Sequence, residues 1–295
     1  MKSFSGIIPP IVTAFSADGK KIDVDNSRRI IKYVISNGCS GIFVAGSQGE
    51  FFSMTDQERI EAMEIAVDES KGNFPVFGGT GAISTDRAVE MTKTAEKVGC
   101  NAVSVINPFF ISLNDEELYQ YYATIAKSTH LPILIYNNPD RTHAQVPISV
   151  IARLAEIDNI VGMKDSSGDL TYVNAVLHSV KKPFNVFCGK DTVIYNELLS
   201  GASGAVAASA NVAPKLVSEI YNKVKSNDLQ GALKAQYELT PLRNAFSLGS
   251  FPVVVKEALS ILGINVGPCR KPIMPMIDEN RKKLQKVLET IGLLK

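Results

Sequence analysis

The chain has 295 residues, of which 45% are hydrophobic and 21% charged, with a formal net charge of +1. Scattered lysines and arginines leave no nucleic-acid footprint, and no apolar run approaches the ~20 residues of a membrane span. Four cysteines without a C-x-x-C pair (Cys39, Cys100, Cys188, Cys269) suggest neither a zinc site nor disulfides, and the N-terminus lacks the apolar stretch of a signal peptide, so a cytoplasmic protein is expected.

In chain order, eight short apolar runs predict buried strands: Ile7–Val12, Gly41–Val44, Val76–Gly79, Ala102–Ile106, Ile133–Tyr136, Ile160–Lys164, Asn185–Cys188 and Gly204–Ala207. They are continuous rather than alternating, as in a parallel sheet covered on both faces. Amphipathic segments lie between them. Thr55-x-x-Glu58 is a capping box that opens a helix over Asp56–Ser70, and Asn114 with Glu117 repeats the pattern. Gly38 and Gly99 fit positions just past helix ends.

Eight strand–helix alternations predict an α/β fold, a single (β/α)8 TIM barrel over residues 1–225, because such barrels of ~250 residues form one domain. An open doubly wound sheet would favour a Gly-rich turn after its first strand, and Thr13-Ala14-Phe15-Ser16 offers none. Beyond Asn211 the pattern turns helical over Pro214–Lys225, Leu229–Phe246, Val253–Leu262 and Ile277–Ile291. The first is the eighth barrel helix. Residues 226–295 then form a C-terminal helical extension packed on the barrel, since no low-complexity linker separates it. Arg281-Lys282-Lys283 reads as the solvated face of the last helix.

Barrel enzymes carry their chemistry at the C-terminal ends of the strands. There the sequence places Gly46-Ser47-Gln48-Gly49-Glu50, Tyr136-Asn137-Asn138-Pro139 with Arg141 beyond, Lys164-Asp165-Ser166-Ser167, Gly189-Lys190-Asp191 and Ser209-Ala210-Asn211. Lys164 stands out because it closes an apolar run. Burial lowers an amine pKa, and a nucleophile needs it brought from about 10.4 towards ~7–8. A neutral amine can then attack a ketone and form an iminium, an electron sink for breaking the adjacent bond. A lysine here can equally reach the rim or pair with Asp165. Tyr136, on the neighbouring strand, could move protons in the same mouth or simply satisfy its hydroxyl. The Gly46–Gly49 turn could cradle a carboxylate with N–H groups and the Ser47 hydroxyl, with Glu50 bracing the loop.

With these residues the chain resembles the dihydrodipicolinate synthase / N-acetylneuraminate lyase family of class I pyruvate aldolases. The likeness runs from Gly6-Ile7-Ile8-Pro9-Pro10 into the C-terminal helices, and rests on Gly46-Ser47-Gln48-Gly49-Glu50, Tyr136-Asn137-Asn138-Pro139 and Gly162-Met163-Lys164-Asp165. It implies that Lys164 forms a Schiff base with pyruvate and that Tyr136 transfers protons. It also implies that Ser47 and Gln48 hold the pyruvate carboxylate, and that the Val206 carbonyl faces the site. Arg141, Ser166, Gly189, Asp191 and Ser209 are further substrate-binding candidates. No metal or organic cofactor is implied. The expected partners are pyruvate and an aldehyde, without nucleic acid or membrane, in a homotetramer built as a dimer of dimers.

Departures from the family narrow the substrate. The synthases usually carry Thr-Thr where this chain has Ser47-Gln48. They also place a Tyr pair, one of which crosses a dimer interface into the proton relay, where Phe109-Phe110 stand. Asp56, Arg59 and Ile83 replace the residues of the synthases' lysine feedback site, so inhibition by L-lysine is not expected. Thr192 replaces the Glu of sialic acid lyases. Ile106-Asn107-Pro108 and Ser209-Ala210-Asn211 look more like aldolases for 2-keto-3-deoxy sugar acids. The sequence therefore favours a 2-keto-3-deoxygluconate-type aldolase, with the synthase that condenses pyruvate with aspartate semialdehyde as the alternative. A non-catalytic 2-oxo-acid sensor would have lost Lys164 or Tyr136, and a phosphate site built on Lys190 has only Gly189-Lys190-Asp191 to support it.

Overall fold

The computed structural model describes residues 4–294. Its strands follow the apolar runs: β1 (Gly6–Ile7), β2 (Ile42–Val44), β3 (Val76–Gly79), β4 (Ala102–Ile106), β5 (Ile133–Asn137), β6 (Ile160–Asp165), β7 (Asn185–Cys188) and β8 (Gly204–Ala205). All pair in parallel, in the order β1-β8-β7-β6-β5-β4-β3-β2. The sheet closes where the Ile11 N–H donates to the Phe43 carbonyl (2.8 Å) and the Phe43 N–H to that of Pro9 (3.0 Å). The result is a (β/α)8 barrel.

Two strands are shorter than the sequence predicts. The ladder of β1 stops at Ile7 because Pro9 and Pro10 have no N–H to give it. That of β8 stops at Ala205, although the Val206 N–H still donates to the Cys188 carbonyl at 2.8 Å.

The helices are α1 (Val24–Ser36), α2 (Asp56–Ser70), α3 (Thr85–Val98), α4 (Asp115–Lys127), the single turn α5 (Pro139–Thr142), α6 (Ile148–Leu154), α7 (Leu170–Ser179), α8 (Ile194–Leu199) and α9 (Pro214–Lys225). Three more follow: α10 (Leu229–Ala245), α11 (Val253–Ile261) and α12 (Asp278–Thr290). Both capping boxes form, at Thr55/Glu58 and Asn114/Glu117. Gly38 and Gly99 take left-handed φ just past α1 and α3. The eighth barrel helix is α9; α10 lies against it, and α12 against α10 and α11.

The strands are apolar on both faces because each face has its own core. Ile8, Phe43, Phe77, Leu134, Val161 and Phe187 fill the barrel interior. Ile42, Val103, Val105, Ile135, Met163 and Val186 pack outward with helix residues such as Met63, Ile125 and Val150, and Leu239, Leu242 and Leu284 of the C-terminal helices join the same cluster. No helix among the described residues is long and apolar enough to cross a membrane.

Candidate active site

The β5–β6 pairing decides where Lys164 points. Ile133 pairs with Ile160, but Leu134 pairs with Gly162, so Val161 is an extra residue on β6. Such a bulge reverses the alternation beyond it. Val161 packs inside the barrel and Met163 outside, so Lys164 turns inward and sits in register with Tyr136. Gly162 is required beside the bulge because a Cβ there would collide with the Asn185 backbone carbonyl.

Lys164 and Tyr136 are 5% and 4% exposed, and the lysine Nζ lies 3.8 Å from the centre of the tyrosine ring. Asp165 does not pair with this lysine. Its carboxylate accepts from Asn137 Nδ2 (2.6 Å), Ser167 Oγ (2.6 Å) and the Ser167 N–H (3.2 Å). Nor does Lys164 reach the rim; its ammonium ends over the rings of Tyr136 and Phe43. Burial pushes the Tyr136 phenol up. The Lys164 charge, the nearby Ser47 and the hydrogen bond from Asn138 outweigh it and leave the phenol below its ordinary value.

Beside this pair stands the Gly46–Gly49 turn after β2. Its Gly49 and Glu50 N–H groups are taken by the carbonyls of Gly46 and Ser47, whereas those of Ser47 and Gln48 meet no acceptor among the described residues. Two adjacent free N–H groups beside a hydroxyl suit a carboxylate. Glu50 braces the loop, as its position suggests. It has left-handed backbone, is fully buried, pairs with Lys256 of α11 at 2.6 Å and accepts the Arg270 N–H at 2.9 Å.

These groups open into a cavity of about 200 Å³. Of the substrate-binding candidates, Arg141, Ser166, Gly189, Asp191 and Val206 line it. Ser209 does not. It is fully buried, and its hydroxyl and N–H both donate to Asp191 Oδ2, at 2.5 and 2.7 Å. Those bonds also engage Asp191, which is a brace more than a free carboxylate. Lys190 is tied to Asp140 at 2.8 Å, which leaves it ill placed to serve as a phosphate site. The sequence missed the far wall. Arg243, Phe246, Phe251 and Val255, from α10 through α11, line the cavity, and no short motif marks them. The Arg141 guanidinium stacks 4.6 Å over Phe251, and Arg243 4.8 Å over Phe246. Two arginines thus line the cavity that holds the lysine.

The chain matches the Dihydrodipicolinate synthetase family over residues 3–291. It belongs to that family. Membership makes it a carbon–carbon lyase of class I, acting through a lysine Schiff base. The 4-hydroxy-tetrahydrodipicolinate synthase of Methanothrix thermoacetophila is 37% identical over 286 residues, spanning 97% of this chain and 96% of that one. The crystal structure of dihydrodipicolinate synthase from Thermotoga maritima superposes with a TM-score of 0.95 at 31% identity, covering 99% of both chains. YagE of Escherichia coli K12, a prophage protein of the family crystallised with pyruvate, gives a TM-score of 0.95 at 30% identity and 99% coverage of both chains. The relatives' names back the synthase over the sugar-acid aldolase that the sequence favours.

The departures keep their place in three dimensions. Phe110 is 94% exposed with a left-handed φ of 76°, and Phe109 packs edge-on against Phe51 at 6.0 Å. Arg59 is buried, donating to the carbonyls of Gly79 and Gly81 at 2.7 and 3.1 Å.

Proposed function

We propose that the enzyme condenses pyruvate with aspartate semialdehyde, and that Lys164 carries the Schiff base. The observation that supports the chemistry is the in-register, buried pair of Lys164 and Tyr136 beside the free N–H groups of Ser47 and Gln48. Pyruvate would place its carboxylate on that turn and its ketone carbon at Lys164. The amine adds to the carbonyl, Tyr136 passes the proton that lets water leave, and an iminium results. Loss of a C3 proton gives the enamine, which attacks the aldehyde carbon. Return of water frees the lysine.

Arg141 and Arg243 favour an aldehyde that carries a second carboxylate, since a guanidinium binds a carboxylate through two parallel N–H bonds. The names of the relatives point the same way. Cleavage of a 2-keto-3-deoxy sugar acid is the second reading, favoured by Phe109 and Phe110, which cannot pass a proton. The expected assembly is a homotetramer built as a dimer of dimers, which sedimentation velocity checks.

Pyruvate with borohydride should add mass to the one peptide containing Lys164, and an unmodified Lys164 in an active enzyme would sink the mechanism. Side-by-side kcat/KM for synthase and sugar-acid aldolase reactions tests the substrate. An aldolase value at or above the synthase value makes the second reading the answer.

A further inference from the structure

Tyr136 has one hydrogen-bonding neighbour that does no proton chemistry. The Asn138 carboxamide Nδ2 donates to the Tyr136 Oη at 2.7 Å, from only two residues along the same loop. Asn138 is 8% exposed and lines the cavity. Its placement is rigid. The Asn138 carbonyl accepts from the N–H of Arg141 (2.9 Å), the N–H of Thr142 (3.0 Å) and the Thr142 hydroxyl (3.1 Å), so the single turn α5 holds the residue by its own backbone.

A phenol oxygen has one proton to give and lone pairs to receive. An amide N–H occupying one lone pair fixes where the other bonds lie. The Tyr136 proton must then point away from Asn138, to the side where Lys164 and Ser47 stand. A carboxamide also cannot accept a proton and pass on another, as a serine, tyrosine or carboxylic acid could. We infer that Asn138 is the positioning residue of Tyr136: its amide aims the phenol proton at the Lys164 side and closes the outward route from that oxygen. The groups facing the phenol support this. Lys164 lies beside it from β6 and Ser47 from the β2 turn, Arg141 shares the cavity, and Arg59 shares a small void behind the ring. Asp140 and Asp191 line the same cavity, but Asp140 is paired with Lys190 and Asp191 accepts from Ser209, so the amide N–H adds to the Lys164 charge in favouring the phenolate.

The inference rests on Tyr136 being the proton-transferring group, and the experiment separates the two. Full-length N138D and N138L are compared with the wild-type enzyme. Aspartate keeps the shape and removes the donor; leucine removes it without adding charge. Three measurements are taken on each: borohydride trapping of pyruvate, the pH profile of kcat, and the ultraviolet titration of Tyr136 read against its Y136F counterpart. Trapping on Lys164 should persist in both variants. The amide's hydrogen bond to the phenol oxygen is lost, so kcat should fall about tenfold, and the Tyr136 titration should move upward in N138L and further in N138D. A residue that merely packs would change the melting temperature and leave the phenol titration alone. Trapping intact with kcat within about threefold of wild type and an unmoved Tyr136 titration overturns the inference. If N138L does not fold, the isosteric N138D decides by the same two readings. A wild-type enzyme that traps no pyruvate overturns the Schiff-base reading and takes this one with it.

Discussion

Among single residues, Tyr136 and Glu197 give the clearest expectations. Tyr136→Phe keeps a ring that packs edge-on against Phe43 and removes the hydroxyl. General acid–base groups typically contribute ~10²–10⁴-fold, so kcat should fall in that range while pyruvate still binds. A loss under about threefold in steady-state kinetics would assign the proton to another group. Glu197 is buried in α8, neither carboxylate oxygen meets a hydrogen-bond donor among the described residues, and burial pushes it up to about 7. The folded state therefore holds this proton in a range where the unfolded chain, near 4.5, has already released it. Wild-type stability should fall as pH rises from 4.5 to 7 on this account. Glu197→Gln should raise the melting temperature at pH 8 far more than at pH 4, and equal shifts at both would count against it. Sequence alone singled out Lys164, Tyr136, Ser47 and Gln48 at strand ends. Strict alternation from Ile160, however, would have turned Lys164 outward. The extra residue at Val161 corrects the direction, and a bulge set by pairing leaves no signature in one strand's own residues.

The elements most legible in the sequence were those whose ends have a chemical marker. Asp56–Ser70 and Pro214–Lys225 run as read, because a capping box opens one and a proline the other. Ser209 was misplaced because a hydroxyl at a strand end can serve a neighbouring carboxylate as well as a ligand, and sequence does not show which. One helix acts at a distance. Lys256 of α11 is 3% exposed and holds Glu50 against the far side of the Gly46–Gly49 turn, also donating to the Pro268 carbonyl at 2.9 Å. Lys256→Met should leave a buried carboxylate unpaired and cost about 3–5 kcal/mol in denaturant unfolding. It should also raise the KM for pyruvate. The Lys256→Met/Glu50→Gln double variant should recover most of the stability, and a double no better than the single would disprove the pairing argument.

At the scale of the molecule, the extension at 226–295 reads as part of the barrel's closure. Arg270 shows how. Its guanidinium donates to the carbonyls of Gly19, Lys20 and Ser53, pairs with Glu58 and stacks 4.3 Å over Phe15. Glu58 is thereby held at about 2 while it also closes the α2 capping box. That contribution is complete above 4.5 and should fade as pH falls towards 2, visible as an acid-sensitive midpoint that Arg270→Ala abolishes. A chain ending at residue 225 should lose both pyruvate trapping and cooperative unfolding by circular dichroism. A truncated barrel that traps pyruvate would show the extension to be dispensable.

The cavity is walled from distant stretches of the chain. Its strand-end lining is complete once Ala208 has been made, but Arg243, Phe251 and Val255 come later, as do Lys256 and Arg270, which brace the Gly46–Gly49 turn through Glu50. During synthesis the reactive amine is thus finished well before the walls that would seat a substrate beside it. Competence should arrive only once Arg270 has been made, so a ribosome stalled before Arg243 would carry the lysine without the walls of its site.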